Sequence, residues 1–79
     1  MAVELNEHIS VGVIFSQGTV KPIWFSRQGR RIRIQEVAYM WKTREGSAPI
    51  HHFSVTDGQG LYEIRFNTVS LTWKLGSAE

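Results

Sequence analysis

Seventy-nine residues make one small domain, and a chain of that length buries only about 60% of the surface its unfolded form exposes, so its core must be efficient. There is no Cys, which excludes disulfide staples and thiolate zinc sites and gives no sign of an oxidising compartment. A net charge of +2 and a pI of about 9.4 are a mild basic bias, compatible with a nucleic-acid partner and equally with an ordinary solvated surface.

The first residues, MAVELNEHIS, lack the basic start and apolar run of a secretory signal, and no apolar stretch approaches the ~20 residues of a membrane helix. The expectation is a soluble, cytoplasmic protein with no membrane partner. Residues 1–18 read as an N-terminal arm, in which Ile9, Val11, Val13 and Phe15 alternate with His8, Ser10, Gly12 and Ile14. Such a run serves either as an extra strand that closes a sheet or as an arm that pairs with a second molecule, giving a homodimer. Ser16, Gln17 and Gly18 mark a turn after it.

Residues 19–76 read as a single small β domain, with 77–79 as a tail. Alternating runs rich in Val, Ile, Trp, Tyr, Phe and Thr occupy 20–26, 31–42, 50–56, 61–66 and 71–75. The separators between them are short and carry Gly, Asp, Asn or Pro, which favours antiparallel neighbours. In the first run, Pro22 suits an edge or a strand start. A turn centred on Gln28 and Gly29 pairs Phe25 with Ile32 and Ile23 with Ile34. A loop over 57–60 pairs Val55 with Tyr62 and Phe53 with Ile64. A loop over 67–70 pairs Phe66 with Leu71, Ile64 with Trp73 and Tyr62 with Leu75, and sets Glu63 opposite Lys74. In all three registers the apolar sets meet on one face, which a one-residue slip would destroy.

The run 31–42 changes phase. Ile32 and Ile34 alternate in one phase, and Val37, Tyr39 and Trp41 in the other. A β-bulge or sharp bend at Gln35 and Glu36 accounts for this. Its first half then pairs with 20–26 and its second with 50–56, so that the sheet curls over its own core. The fold expected is all-β: a small, bent antiparallel meander of about five strands, a partly open barrel of the SH3-like size class. The inward set is Ile23, Phe25, Ile32, Ile34, Val37, Tyr39, Trp41, Phe53, Val55, Tyr62, Ile64, Phe66, Leu71, Trp73 and Leu75.

Pro22 and Phe25, then Gly29 and Arg30, then Ile32, Ile34, Val37 and Trp41 form a pattern that resembles a family of short uncharacterised bacterial proteins grouped as a domain of unknown function. Arg27 stands where many relatives carry an aromatic. The resemblance implies a small, mostly β domain and brings no activity or catalytic residue with it.

The registers place Trp24 opposite Arg33 and Ser26 opposite Arg31, on the face away from Phe25. With Arg27, Arg30 and Lys21 these make a basic patch around one aromatic. Single-stranded nucleic acid is bound by such a combination of cations for phosphates and a ring for bases. The ordinary alternatives are that Arg33 stacks on Trp24, a contact worth about 0.5–1 kcal/mol when exposed, or that Trp24 packs under the N-terminal segment.

His51 and His52 are adjacent in a strand and point to opposite faces, so they do not share a metal ion. His51 is expected inward near Phe66 and Trp41, and His52 outward near Arg65. Ser54, His52 and Asp57 lie close in sequence without an elbow or oxyanion hole, the glycines at 58 and 60 open no helix, and Glu36 lacks a partner carboxylate. No catalytic residue, cofactor or metal site is assigned. The function expected is a non-enzymatic binding module for single-stranded nucleic acid or another anionic partner, such as an acidic protein, through Trp24, Arg27, Arg30, Arg31 and Arg33. The alternative is a protein-interaction or homo-oligomer assembly module that uses a sheet edge or the N-terminal arm.

Overall fold

The computed structural model describes residues 3–79, so residues 1 and 2 of the expected arm lie outside it. The strands are β1 (Val3–Ser16), β2 (Thr19–Arg27), β3 (Arg30–Arg33), β4 (Glu36–Glu45), β5 (Ala48–Thr56), β6 (Leu61–Asn67) and β7 (Thr72–Ala78), and no helix occurs among the described residues. They form one antiparallel seven-stranded sheet in the order β3-β2-β1-β7-β6-β5-β4. Sheet neighbours are sequence neighbours throughout, except that β1 pairs with β7.

The two edge strands, β3 and β4, are parts of one bent segment with no turn between them. The Ile34 amide donates to the Ile23 carbonyl of β2 (3.0 Å), and the next amide, Gln35, donates to the Thr56 carbonyl of β5 (2.8 Å). Two consecutive amides thus bond to strands near opposite ends of the sheet. Only a sheet curled into a half-barrel allows that. The expected change of partner along 31–42 is found, one residue earlier than Gln35–Glu36. The two halves count as separate strands and β1 joins the sheet, which brings the total to seven where about five were expected.

Two hairpins close on Gln-Gly with both residues at positive φ: Gln17 and Gly18 at 50° and 81°, Gln28 and Gly29 at 52° and 76°. This is the primed-turn geometry whose twist matches that of the flanking strands. The β2–β3 register is the expected one, with Phe25 facing Ile32. So is that of β5–β6, with Val55 facing Tyr62 and Phe53 facing Ile64. There the Asp57 carboxylate closes the loop, its Oδ1 accepting from the Gln59 and Gly60 amides at 2.9 and 2.8 Å.

Three expectations are corrected. In β4, Val37 faces Val55 but Tyr39 faces Ser54, so Ala38 is an extra residue. This second phase change turns Tyr39 and Trp41 away from the core, and Tyr39 is 66% exposed. In β2, Gly12 faces Trp24 and Val13 faces Pro22, which leaves Ile23 as the extra residue. Pro22 takes the buried place and Ile23 lies at the surface. In the β6–β7 hairpin the Asn67 side chain accepts from the Val69 and Ser70 amides at 2.9 and 3.0 Å. The Leu71 amide then donates to the Asn67 carbonyl at 2.9 Å, so the turn absorbs Leu71, at φ 58° and 70% exposed. Phe66 consequently faces Trp73 and Ile64 faces Leu75. The register moves by two residues, which keeps the apolar faces together, but Glu63 faces Ser77 and not Lys74.

The core holds Phe25, Phe53, Val55, Ile64, Phe66, Trp73 and Leu75, with Ile32, Ile34, Val37 and Tyr62 packed against it as expected. Leu5, Ile9, Val11, Val13 and Val20 join them. The first four belong to β1, which is therefore an integral strand paired with β2 and β7. No boundary falls at residue 18. At the other end Ser77 and Ala78 lie in β7, and the Glu79 backbone exchanges hydrogen bonds with Leu61, so 77–79 are not a tail.

Three stability measurements check this packing. Phe53→Ala empties a fully buried site and should cost ~3–5 kcal/mol in urea unfolding. Leu71→Gly relieves a left-handed β-turn residue and should raise the urea midpoint, by up to about 1 kcal/mol; a lowered midpoint would contradict the turn geometry. Deleting residues 1–17 removes a strand bonded on both edges and should abolish the cooperative transition.

Candidate functional site

The face of the sheet away from the core carries two groups of functional side chains. On β2 and β3, Trp24 faces Arg33 and Ser26 faces Arg31, as the register required. The indole lies over Gly12 of β1, where any Cβ would overlap it. The cation on the ring is Arg31, not Arg33, with its Cζ 3.9 Å from the ring centroid. Trp24 is thus seated on the N-terminal strand and covered by an arginine, which combines both ordinary readings. Arg33 and Lys21 are exposed on the same face. Arg27 is not part of this group. Two residues from Phe25, it shares the core-side face, where its Nε meets Glu7 Oε1 at 3.0 Å. Arg30, directly opposite Arg27 at the hairpin end, is exposed.

The second group is a row that crosses five strands in register. Trp41 of β4 faces His52 of β5, which faces Arg65 of β6, which faces Lys74 of β7, which faces His8 of β1. Trp41 stacks on the His52 imidazole at 5.0 Å and 10°, and Tyr39 flanks it at 5.5 Å. This is the consequence of the extra Ala38: without it Trp41 would point into the barrel, as the sequence reading had it. His52 is outward near Arg65 as expected, and His51 inward near Phe66 (6.4 Å), but Trp41 lies over His52 rather than beside His51.

His52 anchors a hydrogen-bonded line. Its Nε2 is 2.6 Å from Thr43 Oγ1, and its Nδ1 is 3.2 Å from Glu63 Oε2. The same oxygen accepts from Arg65 Nε at 2.7 Å. Burial alone would raise the Glu63 pKa, but the hydrogen bonds from Arg65 and His52 outweigh it and hold the carboxyl below its ordinary value. Arg65 is further seated on Gly76, where a Cβ would lie 2.7–2.9 Å from the guanidinium. Ser54 and Asp57, close to His52 in sequence, are not its partners. Asp57 instead serves its own turn, where the Gly60 and Gln59 amides lower its pKa. The real partners of His52 sit on the flanking strands at sequence separations of 9 and 11.

The Thr43–His52–Glu63 line has the connectivity of an activated hydroxyl. With no helix among the described residues, Thr43 stands on no strand-to-helix elbow of the kind that supplies oxyanion donors. Nor do the histidines converge: His51 lies on the core side, and no group of three metal-ligating side chains occurs among the described residues. Glu36 is exposed opposite Thr56. No family model, curated protein or solved structure matches the chain. Among the described residues no helix is long and apolar enough to cross a membrane.

Stability should fall in two steps on acidification. His51 is held below its ordinary 6.5 by burial, then by the charges of Lys42 and His52, so the unfolded chain binds the proton first. Its contribution is complete above 6.5 and is lost as pH falls from there through the folded value. Glu63 contributes fully above 4.5 and loses its contribution as pH falls through its lower folded value. Urea midpoints across pH should show His51→Gln flattening the upper step and Glu63→Gln the lower one; a profile unchanged by either variant would contradict these environments.

Proposed function

We propose that the chain is a non-enzymatic binding module, acting in the cytoplasm, whose outer face takes an anionic polymer, single-stranded nucleic acid foremost. The observation that carries this reading is the arrangement of cations between two aromatic stations. Trp24 with Arg31 and Arg33 stands on β2 and β3, and Trp41 with Tyr39 on β4. The row His8, Lys74, Arg65 and His52 runs between the latter and β1. Neighbouring strands are ~4.8 Å apart, so the row from His8 to Trp41 spans about 19 Å over four intervals. Single strands bind to grooves and faces that alternate phosphate cations with stacking rings. Trp24 can stack a base only when Arg31 moves from its ring to a phosphate, while Tyr39 is already exposed. Arg27 drops out of the proposed contact set because Glu7 holds it on the other side.

A second reading, assembly through a sheet edge, is favoured by one observation. The strand β4 is an edge of the sheet, and Tyr39 and Met40 are exposed on it. Exposed strand edges pair with other chains unless they are guarded. Assembly through β1 as a free arm has less support, because β1 is bonded on both sides within its own chain.

Titration with a short single-stranded oligonucleotide at several salt concentrations tests the first reading. Three or four neutralised phosphates predict a log–log slope of about −2 to −3, and Arg31→Ala with Arg33→Ala should make it shallower by about 1.4. Absence of binding at low salt, or full binding by that double variant, rules the reading out. A mass in solution that rises with concentration, without oligonucleotide binding, would favour the edge.

A further inference from the structure

We propose that a groove on the outer face of β1, β7 and β6 is a binding site for a phosphomonoester of nucleotide size. It deepens the anionic-partner reading without requiring the Trp24 patch.

The groove encloses about 500 Å³, within the ~300–1,000 Å³ of small-ligand sites. Three of its lining residues belong to the row: the cations Lys74 and Arg65, with His8 beside them. Asn6, Asn67 and Thr72 add neutral donors and acceptors. The placement follows from the pairing. Lys74 faces both His8 and Arg65, and two residues further along the same strands Asn67 faces Thr72 on one side and Ile50 on the other. Buried Ile50 gives that end an apolar floor. The β6–β7 turn is tied down beside it, since Thr68 donates through both its amide and Oγ1 to the Pro49 carbonyl at 3.1 and 2.8 Å.

Arg65 is the residue that makes this a site rather than a solvated stripe. Its Nε is committed to Glu63, and its guanidinium is seated on Gly76. Its Nη groups make no hydrogen bond to an acceptor among the described residues, and Lys74 makes no ion pair there. A planar fork held in place beside an ammonium suits the oxygens of a phosphate, the fork for paired hydrogen bonds and the ammonium for charge. Glu63 lies behind the fork and is neutralised by it. Glu45, on the rim of the groove, is the carboxylate left to meet hydroxyls or an amino group on the rest of the ligand. The phosphate can come from a free nucleotide or from the end of a strand.

The full chain, isotope-labelled, would be titrated with a nucleoside 5′-monophosphate, the parent nucleoside, and an oligonucleotide with and without a 5′-phosphate. The monophosphate should move the His8, Arg65, Asn67 and Lys74 resonances saturably, and the nucleoside should not. Lys74→Gln should weaken the monophosphate at least tenfold with an unchanged fold, and His8→Gln serves should that variant fail to fold. Arg31→Ala with Arg33→Ala should leave monophosphate binding unchanged. Tighter binding of the phosphorylated strand identifies the strand end as the source; a free monophosphate that binds while the two strands bind alike identifies the nucleotide. No saturable shift at the groove, or an affinity unchanged in the folded variants, overturns the proposal. Oligonucleotide binding that moves only Trp24 and its neighbours, with no groove shift from the monophosphate, overturns it while leaving the wider reading standing.

Discussion

The fold depends on the hand-over at Ile34 and Gln35. One amide belongs to the ladder of β2 and the next to the ladder of β5, strands that lie near opposite ends of a seven-stranded sheet. Backbone donors buried without partners are costly, so a chain that bonds both of these amides must bring the two ends together. With β1 bridging β2 and β7, the sheet is continuous from that junction all the way round and back to it. The core residues of every strand then converge on one interior, which is how so short a chain encloses Phe53, Val55, Ile64 and Leu75 almost completely.

The curl leaves the opposite face pointing outward with its side chains fanned apart. Two glycines determine what stands there. Gly12 is the seat of the Trp24 indole and Gly76 the seat of the Arg65 guanidinium. Each lets a large flat group lie against backbone instead of standing free in water. An arginine pinned in this way has lost much of its rotamer freedom before any ligand arrives, so less entropy remains to be lost on binding. The line from Thr43 through His52 to Glu63 extends the same constraint across three strands. A rigid sheet, one fixed fork and several loose cations are the features on which the proposed anion-binding role rests.

Legibility differed between hairpins for physical reasons. Where a two-residue Gln-Gly turn or an Asp-led loop set the register, alternation sufficed, and the pairings of Phe25 with Ile32 and of Phe53 with Ile64 follow from residue order. The β6–β7 turn misled because Asn67 closes it with its side chain and forces a leucine into a left-handed conformation, against ordinary preference. Alternation alone carries Tyr39 and Trp41 into the core, because it bears no mark of the extra Ala38. The same holds for Ile23, whose place in the interior goes to Pro22. Within the candidate site, the cross-strand positions of Trp24, Arg31 and Arg33 were readable from one hairpin, whereas Arg27 was grouped by sequence and separated by parity.

Residue order by itself determined that this chain is all β, that it lacks the means for disulfide or thiolate chemistry, and that one strand must bend and serve two partners. Those are local properties: side-chain period, turn chemistry and the presence or absence of a residue type. Tertiary structure decided that β1 closes the sheet, that Trp41 lies on His52, and that His8, Lys74 and Arg65 line one groove. These relations join residues from different strands, and a single extra residue in a strand reverses the face of everything beyond it. No pattern along the chain records that reversal; only the competition between neighbouring strands for hydrogen bonds and buried area settles it.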